Sequence, residues 1–288
     1  MKGIDRPEVA TSEIFDLCIE TIQDADLVSR YKSIYPCIQD AEQVYEERVQ
    51  NSELYKIDPC VEKNREAVVG EVTKKELKNL YTNHLVPKKK PARRIYDQLL
   101  NAASGGICPT CGLGHVYTLD HYLVKSKYPL YSILAINLVP ACRDCNSGKS
   151  ASVVTSKGCQ AFHPYFDQHL IENDQWLYAR VVENHSAAIE FYVDAPSYWP
   201  PAIAQRANSH FSEFALKNRF GKEASRLLIS TSMSIERFST KTLRFSEIKY
   251  QYGAEKDIEL NGWRTALFYA LMNSEWYLED GFRLFIPS

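Results

Sequence analysis

The chain has 288 residues and a formal net charge of −2, and it is 45% hydrophobic and 24% charged. These proportions are those of a folded globular protein and exclude wholesale disorder, and the charge balance argues against a protein that coats nucleic acid by bulk attraction. No apolar run approaches the ~20 residues of a membrane helix, and the N-terminus lacks the apolar stretch of a secretory signal, so we expect a cytoplasmic protein with no membrane partner.

The first 104 residues are predicted to form a helical region. A second helix is expected to start after Pro36, because proline usually interrupts a helix. Thr73 and Glu76 have the spacing of a capping box and predict the start of a third helix. The basic run at residues 88–94 closes this region. It is either a solvated linker or one flank of a nucleic-acid groove.

Residues 105–168 contain four of the eight cysteines as two Cys-x-x-Cys pairs, with 30 residues between the pairs: Cys108, Cys111, Cys142 and Cys145. Two such turns can close a tetrahedron of thiolates with no open position, which predicts a structural Zn²⁺ site. The alternative is two free or redox-active pairs, but neither pair has a thioredoxin-like context. A zinc ion would join the two ends of a segment too short to bury much apolar surface.

Polar residues between and after the cysteine pairs stand in a recognisable order: Asp120-His121, then Asn137, then Asn146 and Lys149. With these residues inside a four-cysteine frame, the sequence resembles the HNH endonucleases. The core of that family is a β-hairpin followed by one helix around a single divalent ion. The resemblance covers about residues 107–150, and the two strands are expected near residues 116–123 and 137–141.

The resemblance implies metal-dependent hydrolysis of phosphodiester bonds. His121 would be the general base, for which an ordinary histidine pKa near 6.5 is suitable. Asp120 and Asn146 would hold a catalytic Mg²⁺ or Mn²⁺, and Asn137 would hold the loop that positions His121. Four basic residues in this segment are candidates for contacts with nucleic acid: Lys125, Lys127, Arg143 and Lys149. For Lys149, a solvated surface charge is an equally good interpretation.

A compact aromatic turn, His163-Pro-Tyr-Phe-Asp167, follows the stretch that resembles the HNH core. His163 either packs this turn against the nuclease core or approaches its site. Within residues 169–288, strands at 176–182 and 188–193 are expected to form a hairpin, followed by helices. The predicted fold is α+β, with regions at residues 1–104, 105–168 and 169–288.

The predicted function is a DNA endonuclease. In size and in the aromatic turn, the chain resembles HNH subunits of bacterial antiphage systems of the Septu and retron types, which implies an ATPase partner. Two alternatives stay open. One is a ribonuclease acting on an RNA such as tRNA, since HNH site residues do not distinguish the two sugars. The other is a catalytically inactive zinc-knuckle subunit that binds nucleic acid or serves as a scaffold.

Overall fold

Helices dominate the computed structural model, which describes residues 1–149, 153–183 and 188–287. In these described ranges the helices are accompanied by three short antiparallel hairpins, so the fold is α+β as predicted. Thr73 and Glu76 form the expected capping box at the start of the third helix. The α-helices and strands before Cys108, the first of the paired cysteines, are α1 (Thr11–Ile19), α2 (Ala25–Gln50), β1 (Ala67–Val69), β2 (Val72–Thr73), α3 (Lys74–Asn79) and α4 (Arg93–Leu100).

Helix α2 corrects one prediction, because it runs without a break through Pro36. An internal proline costs about 3 kcal/mol, since it removes one hydrogen bond and crowds the preceding turn. Buried side chains lie on both sides of Pro36 at helical spacing, among them Ile34 and Ile38. Each buried aliphatic side chain contributes about 1.5–3 kcal/mol, so packing along the whole helix outweighs the local cost.

The centre of the fold is the cysteine-framed segment, by which we mean residues 107–149. It contains an antiparallel hairpin whose register pairs Thr118 with Ala141 and His121 with Leu138. The apolar side chains of Leu119 and Leu138 pack into one core with the N-terminal helices. The elements of the segment are β3 (Thr118–His121), β4 (Leu138–Ala141) and α5 (Arg143–Gly148).

The C-terminal region contains the predicted hairpin and then the predicted helices. Strands β5 and β6 pair antiparallel, from Leu177 with Val193 to Val182 with Ala188. The residues 184–187 that connect them lie outside the described ranges. These elements are α6 (Gln168–Glu172), β5 (Leu177–Val182), β6 (Ala188–Val193), α7 (Pro201–Glu213), α8 (Leu216–Glu236), α9 (Lys241–Ile258), α10 (Trp263–Met272) and α11 (Glu275–Glu279).

Hydrophobic cores are shared between the regions inferred from sequence. One core joins the N-terminal helices to β3 and β4, and another joins the four paired cysteines to the C-terminal hairpin and helices. The cysteine-framed segment is therefore packed between two helical regions. In the parts of the chain that the structure describes, no helix has the length and apolar character required to cross a membrane.

The basic run is mostly attached to the N-terminal helices. Lys90 donates to Thr21 Oγ1, and the guanidinium of Arg94 pairs with Glu13. Lys88 and Lys89 are exposed. Lys90 and Arg94 therefore attach the run to the N-terminal helices, and Lys88 and Lys89 face solvent.

Candidate functional site

The four paired cysteines meet in one buried cluster. Their Sγ atoms all lie within 4.8 Å of one another, and Cys111 Sγ is 3.8 Å from Cys142 Sγ. Zn–S bonds of about 2.3 Å at tetrahedral angles would put the sulfur atoms about 3.8 Å apart. The cluster could therefore hold a structural zinc ion, as the sequence predicts.

Glycines allow the two cysteine turns to approach so closely. Gly112 has a φ of 63°, in the left-handed region that glycine adopts without strain. A Cβ on Gly114 would lie 2.7 Å from the Cβ of Cys142, well inside van der Waals contact. The first turn thus depends on two glycines to reach the second.

His121 lies at the end of β3 with a buried imidazole. Its Nε2 is 2.9 Å from the carbonyl oxygen of Ser132, and its ring meets the edge of Tyr81 at 4.4 Å between centroids. A carbonyl oxygen can only accept, so Nε2 carries the proton and the lone pair is on Nδ1. Burial lowers the pKa of His121 to about 3, helped by the charge of Lys125. The imidazole is therefore neutral at pH 7, and the ordinary pKa assumed from the sequence does not hold.

Asp120 faces a different direction from His121, as expected for neighbours on a strand. Its Oδ2 is 3.3 Å from the ammonium of Lys149, which also donates to the carbonyl oxygens of His121 and Tyr122 at 2.9 and 2.8 Å. Lys149 is thus held by three oxygens rather than solvated. Burial raises the pKa of Asp120, while Lys149 acts in the opposite sense.

Asn146 is exposed on α5, three residues before Lys149. Helix α5 packs against β3, so Asn146 and Asp120 belong to neighbouring elements. A carboxylate and an amide oxygen are hard donors of the kind that Mg²⁺ accepts. Two such donors would leave several positions of a divalent ion for water and substrate.

A small cavity beside Asp120 contains a carboxylate that the sequence did not reveal. Glu213, at the end of α7, lines this cavity together with Asp120 and Lys149. Burial raises the pKa of Glu213, and the charge of Asp120 acts in the same direction. No local motif marks Glu213, because it reaches the cysteine-framed segment only through the packing of α7.

The side chain of Asn137 holds the loop that follows His121. Its Oδ1 accepts from the backbone N–H of Leu123 at 2.7 Å, and its Nδ2 donates to the carbonyls of Leu123 and Tyr131 at 3.1 and 3.0 Å. Asn137 is fully buried. Two of these bonds hold the backbone of Leu123, two residues beyond His121, and the third connects the same side chain to Tyr131.

His163 belongs to a buried network that joins three regions of the chain. Tyr45 OH from α2 is 3.1 Å from His163 Nε2 and 3.2 Å from Asn137 Oδ1. The His163 ring stacks on Tyr122 at 4.2 Å between centroids. His163 is fully buried, so its surroundings are those of the packing role rather than of a solvent-facing site residue.

The basic candidates for nucleic-acid contact differ in their surroundings. Lys127 is exposed. The guanidinium of Arg143 lies 3.8 Å from the centroid of Tyr117, which is itself 60% exposed. Lys125 is 4.5 Å from the Tyr81 centroid, on the same ring that His121 contacts. Cationic groups therefore flank His121 and the outer side of the hairpin.

Comparison with known proteins assigns the chain to a family. It is 32% identical to protein ea31 of Escherichia phage lambda over 291 aligned residues, covering 96% of this chain and 98% of the relative. The chain belongs to the ea31 family. No protein-family model and no solved structure matches it. The name ea31 states no activity, so the chemistry of this ea31 relative has to be argued from its own residues.

Proposed function

We propose that the chain is a metal-dependent HNH endonuclease that hydrolyses phosphodiester bonds of DNA in the cytoplasm. The observation that carries this proposal is the state of His121, a neutral imidazole whose Nε2 proton is held by the Ser132 carbonyl at 2.9 Å. That bond directs the basic lone pair to Nδ1 and fixes the ring. A buried histidine kept in one tautomer, in contact with the Tyr81 ring on which Lys125 also lies, suits a general base that acts through Nδ1.

His121 would take a proton at Nδ1 from the water that attacks phosphorus in line. Its low pKa keeps it unprotonated throughout the neutral range, at the cost of lower basicity. Asn137 supports this step by holding the backbone at Leu123. Lys125 and Lys149 would favour the negative charge of the phosphate.

Asp120 and Asn146 are the residues that would hold the catalytic Mg²⁺ or Mn²⁺. When bound, such an ion supplies charge neutralisation at the phosphate and the leaving oxygen. Lys149 balances the charge of Asp120 in the structure, and it belongs to the same short segment as Asn146. Movement of the Lys149 side chain would free one carboxylate oxygen for other ligands.

Incubation of the purified protein with plasmid DNA, genomic DNA and total RNA tests the proposal. Each substrate is treated with Mg²⁺, with Mn²⁺ and with a chelator. We expect DNA cleavage only when a divalent ion is present. Cleavage of RNA alone would favour the ribonuclease alternative, and binding without cleavage would favour the inactive zinc-knuckle alternative.

The resemblance to antiphage HNH subunits extends the proposal to an ATPase partner and a role in defence. Support would come from an ATPase gene adjacent to the gene for this chain. The test is co-expression of the two and measurement of their combined mass after chromatography. A purified ATPase that elutes separately from the chain at all concentrations would count against this partner.

A further inference from the structure

Arg219 on helix α8 contacts three of the four sulfur atoms of the cysteine cluster. Its Nη1 is 3.3 Å from Cys145 Sγ, and its Nη2 is 3.4 Å from Cys111 Sγ and 3.5 Å from Cys142 Sγ. Arg219 is more than 70 residues beyond the last cysteine of the cluster, so no local sequence motif predicts the contact. One planar guanidinium therefore caps one side of the cluster.

The position of Arg219 is fixed by its own helix. Leu216 and Phe220, on either side of it, are fully buried in the C-terminal core. The Arg219 side chain itself is 15% exposed. Within the described part of the chain, its Nε is buried and has no hydrogen-bond partner. Water cannot solvate the charge of a guanidinium that is buried to this extent, so a negative charge has to lie close to it. The cluster sulfurs are the candidates for that charge, because they lie within 3.5 Å of Arg219.

The partner charge follows from the chemistry of a zinc-loaded cluster. Four thiolates around Zn²⁺ carry a net charge of −2 in a buried environment, where desolvation of charge is costly. Two backbone N–H groups, those of Gly114 and Cys145, already point to cluster sulfurs at 3.5 Å. An arginine adds a full positive charge and charge-assisted N–H···S bonds. Asp144, 75% exposed and 3.5 Å from Arg219, competes only weakly for it.

We propose that Arg219 is a positioning residue of the zinc cluster: it compensates the charge of the four thiolates, slows the release of zinc and fastens helix α8 to the cysteine-framed segment. The inference rests on the cysteine cluster and does not depend on nuclease activity. Groups that hydrogen-bond to metal ligands typically change metal affinity by about 10- to 100-fold when removed.

The test measures zinc release from the full-length protein with a chromogenic chelator. Arg219→Met removes the charge and keeps most of the side-chain volume. Arg219→Lys keeps the charge but cannot contact three sulfur atoms with one planar group. Arg226→Met is the matched control, because Arg226 is exposed two helical turns further along α8. We expect release about tenfold or more faster in Arg219→Met, an intermediate rate in Arg219→Lys and an unchanged rate in Arg226→Met.

A second measurement separates a direct effect on the sulfur atoms from a general loosening of α8. In the cobalt-substituted protein, the thiolate-to-metal charge-transfer band should shift in Arg219→Met and stay unchanged in Arg226→Met. Should Arg219→Met fail to fold, Arg219→Lys carries both measurements. Release within twofold of wild type and an unshifted band in whichever variant folds would overturn the proposal. So would equal acceleration in the control, or a wild-type protein that purifies without zinc.

Discussion

The buried ion pair between Arg206 and Asp167 gives the sharpest prediction about stability. Arg206 on α7 is fully buried and forms an ion pair with Asp167 of the aromatic turn. It also donates to the carbonyls of Gln160 and Ala161, both at 3.0 Å. The pair therefore holds the aromatic turn, and with it His163, against the C-terminal region.

Among the residues that the structure describes, Arg206→Met would leave the buried Asp167 carboxylate with only the backbone N–H of His163 as a partner, at 2.7 Å. Removal of one member of a buried ion pair costs about 3–5 kcal/mol. For a protein of this size each kcal/mol shifts the melting temperature by about 2–4 °C, so the expected decrease is on the order of 10 °C. The loss arises from an uncompensated buried charge and from the lost hydrogen bond to the Gln160 carbonyl, whereas the Ala161 carbonyl still accepts from the hydroxyl of Tyr122.

Thermal unfolding followed by circular dichroism measures this decrease. Arg180→Met is the control, because Arg180 forms an exposed ion pair with Glu190 and its side chain is 67% exposed. Such surface pairs are worth about 0–1 kcal/mol. The double variant Asp167→Asn with Arg206→Met should be less destabilised than the sum of the single changes. A decrease for Arg206→Met no larger than that of the control would refute the reasoning.

Other variants and conditions probe the site itself. Asn137→Ala should lower the free energy of unfolding by about 2–4 kcal/mol, since three buried backbone groups lose their partner. Chemical denaturation measures the change. A loss below about 1 kcal/mol would contradict the role of Asn137 in holding the loop. Tyr45→Phe should lower the free energy of unfolding by about 1–3 kcal/mol, because it leaves His163 Nε2 without its hydroxyl partner. An unchanged free energy of unfolding would show that this bond contributes nothing. Burial lowers the pKa of His121 and His210 to about 3. As the pH falls below 6.5, these histidines are protonated in the unfolded chain but not in the folded one, so the melting temperature should decline from there towards pH 3. A melting temperature that stays constant between pH 7 and 5 would contradict this.

Short motifs made part of the fold predictable. The two Cys-x-x-Cys turns and the capping box of Thr73 depend on contacts within a few residues, and the structure contains both. The path of α2 through Pro36 was not predictable, because long-range packing outweighs a local cost there.

The partners of the site residues were hidden for a similar reason. Glu213, Arg206 and Arg219 lie on helices whose contacts with the cysteine-framed segment form only in the folded chain. One signal was present: Arg206 and His210 stand four residues apart on the buried face of α7. A charged group on such a face requires a buried partner, and Asp167 is that partner for Arg206.

The rate of Mg²⁺-dependent DNA cleavage by His121→Ala tests the central claim most directly. His115→Ala is the control, because His115 is an exposed histidine of the same segment. Removal of a general base is expected to slow cleavage by about 10²- to 10⁴-fold, while zinc content stays at the wild-type level. Cleavage by His121→Ala at the rate of the His115→Ala control, with both proteins folded, would contradict the assignment of His121 as the base.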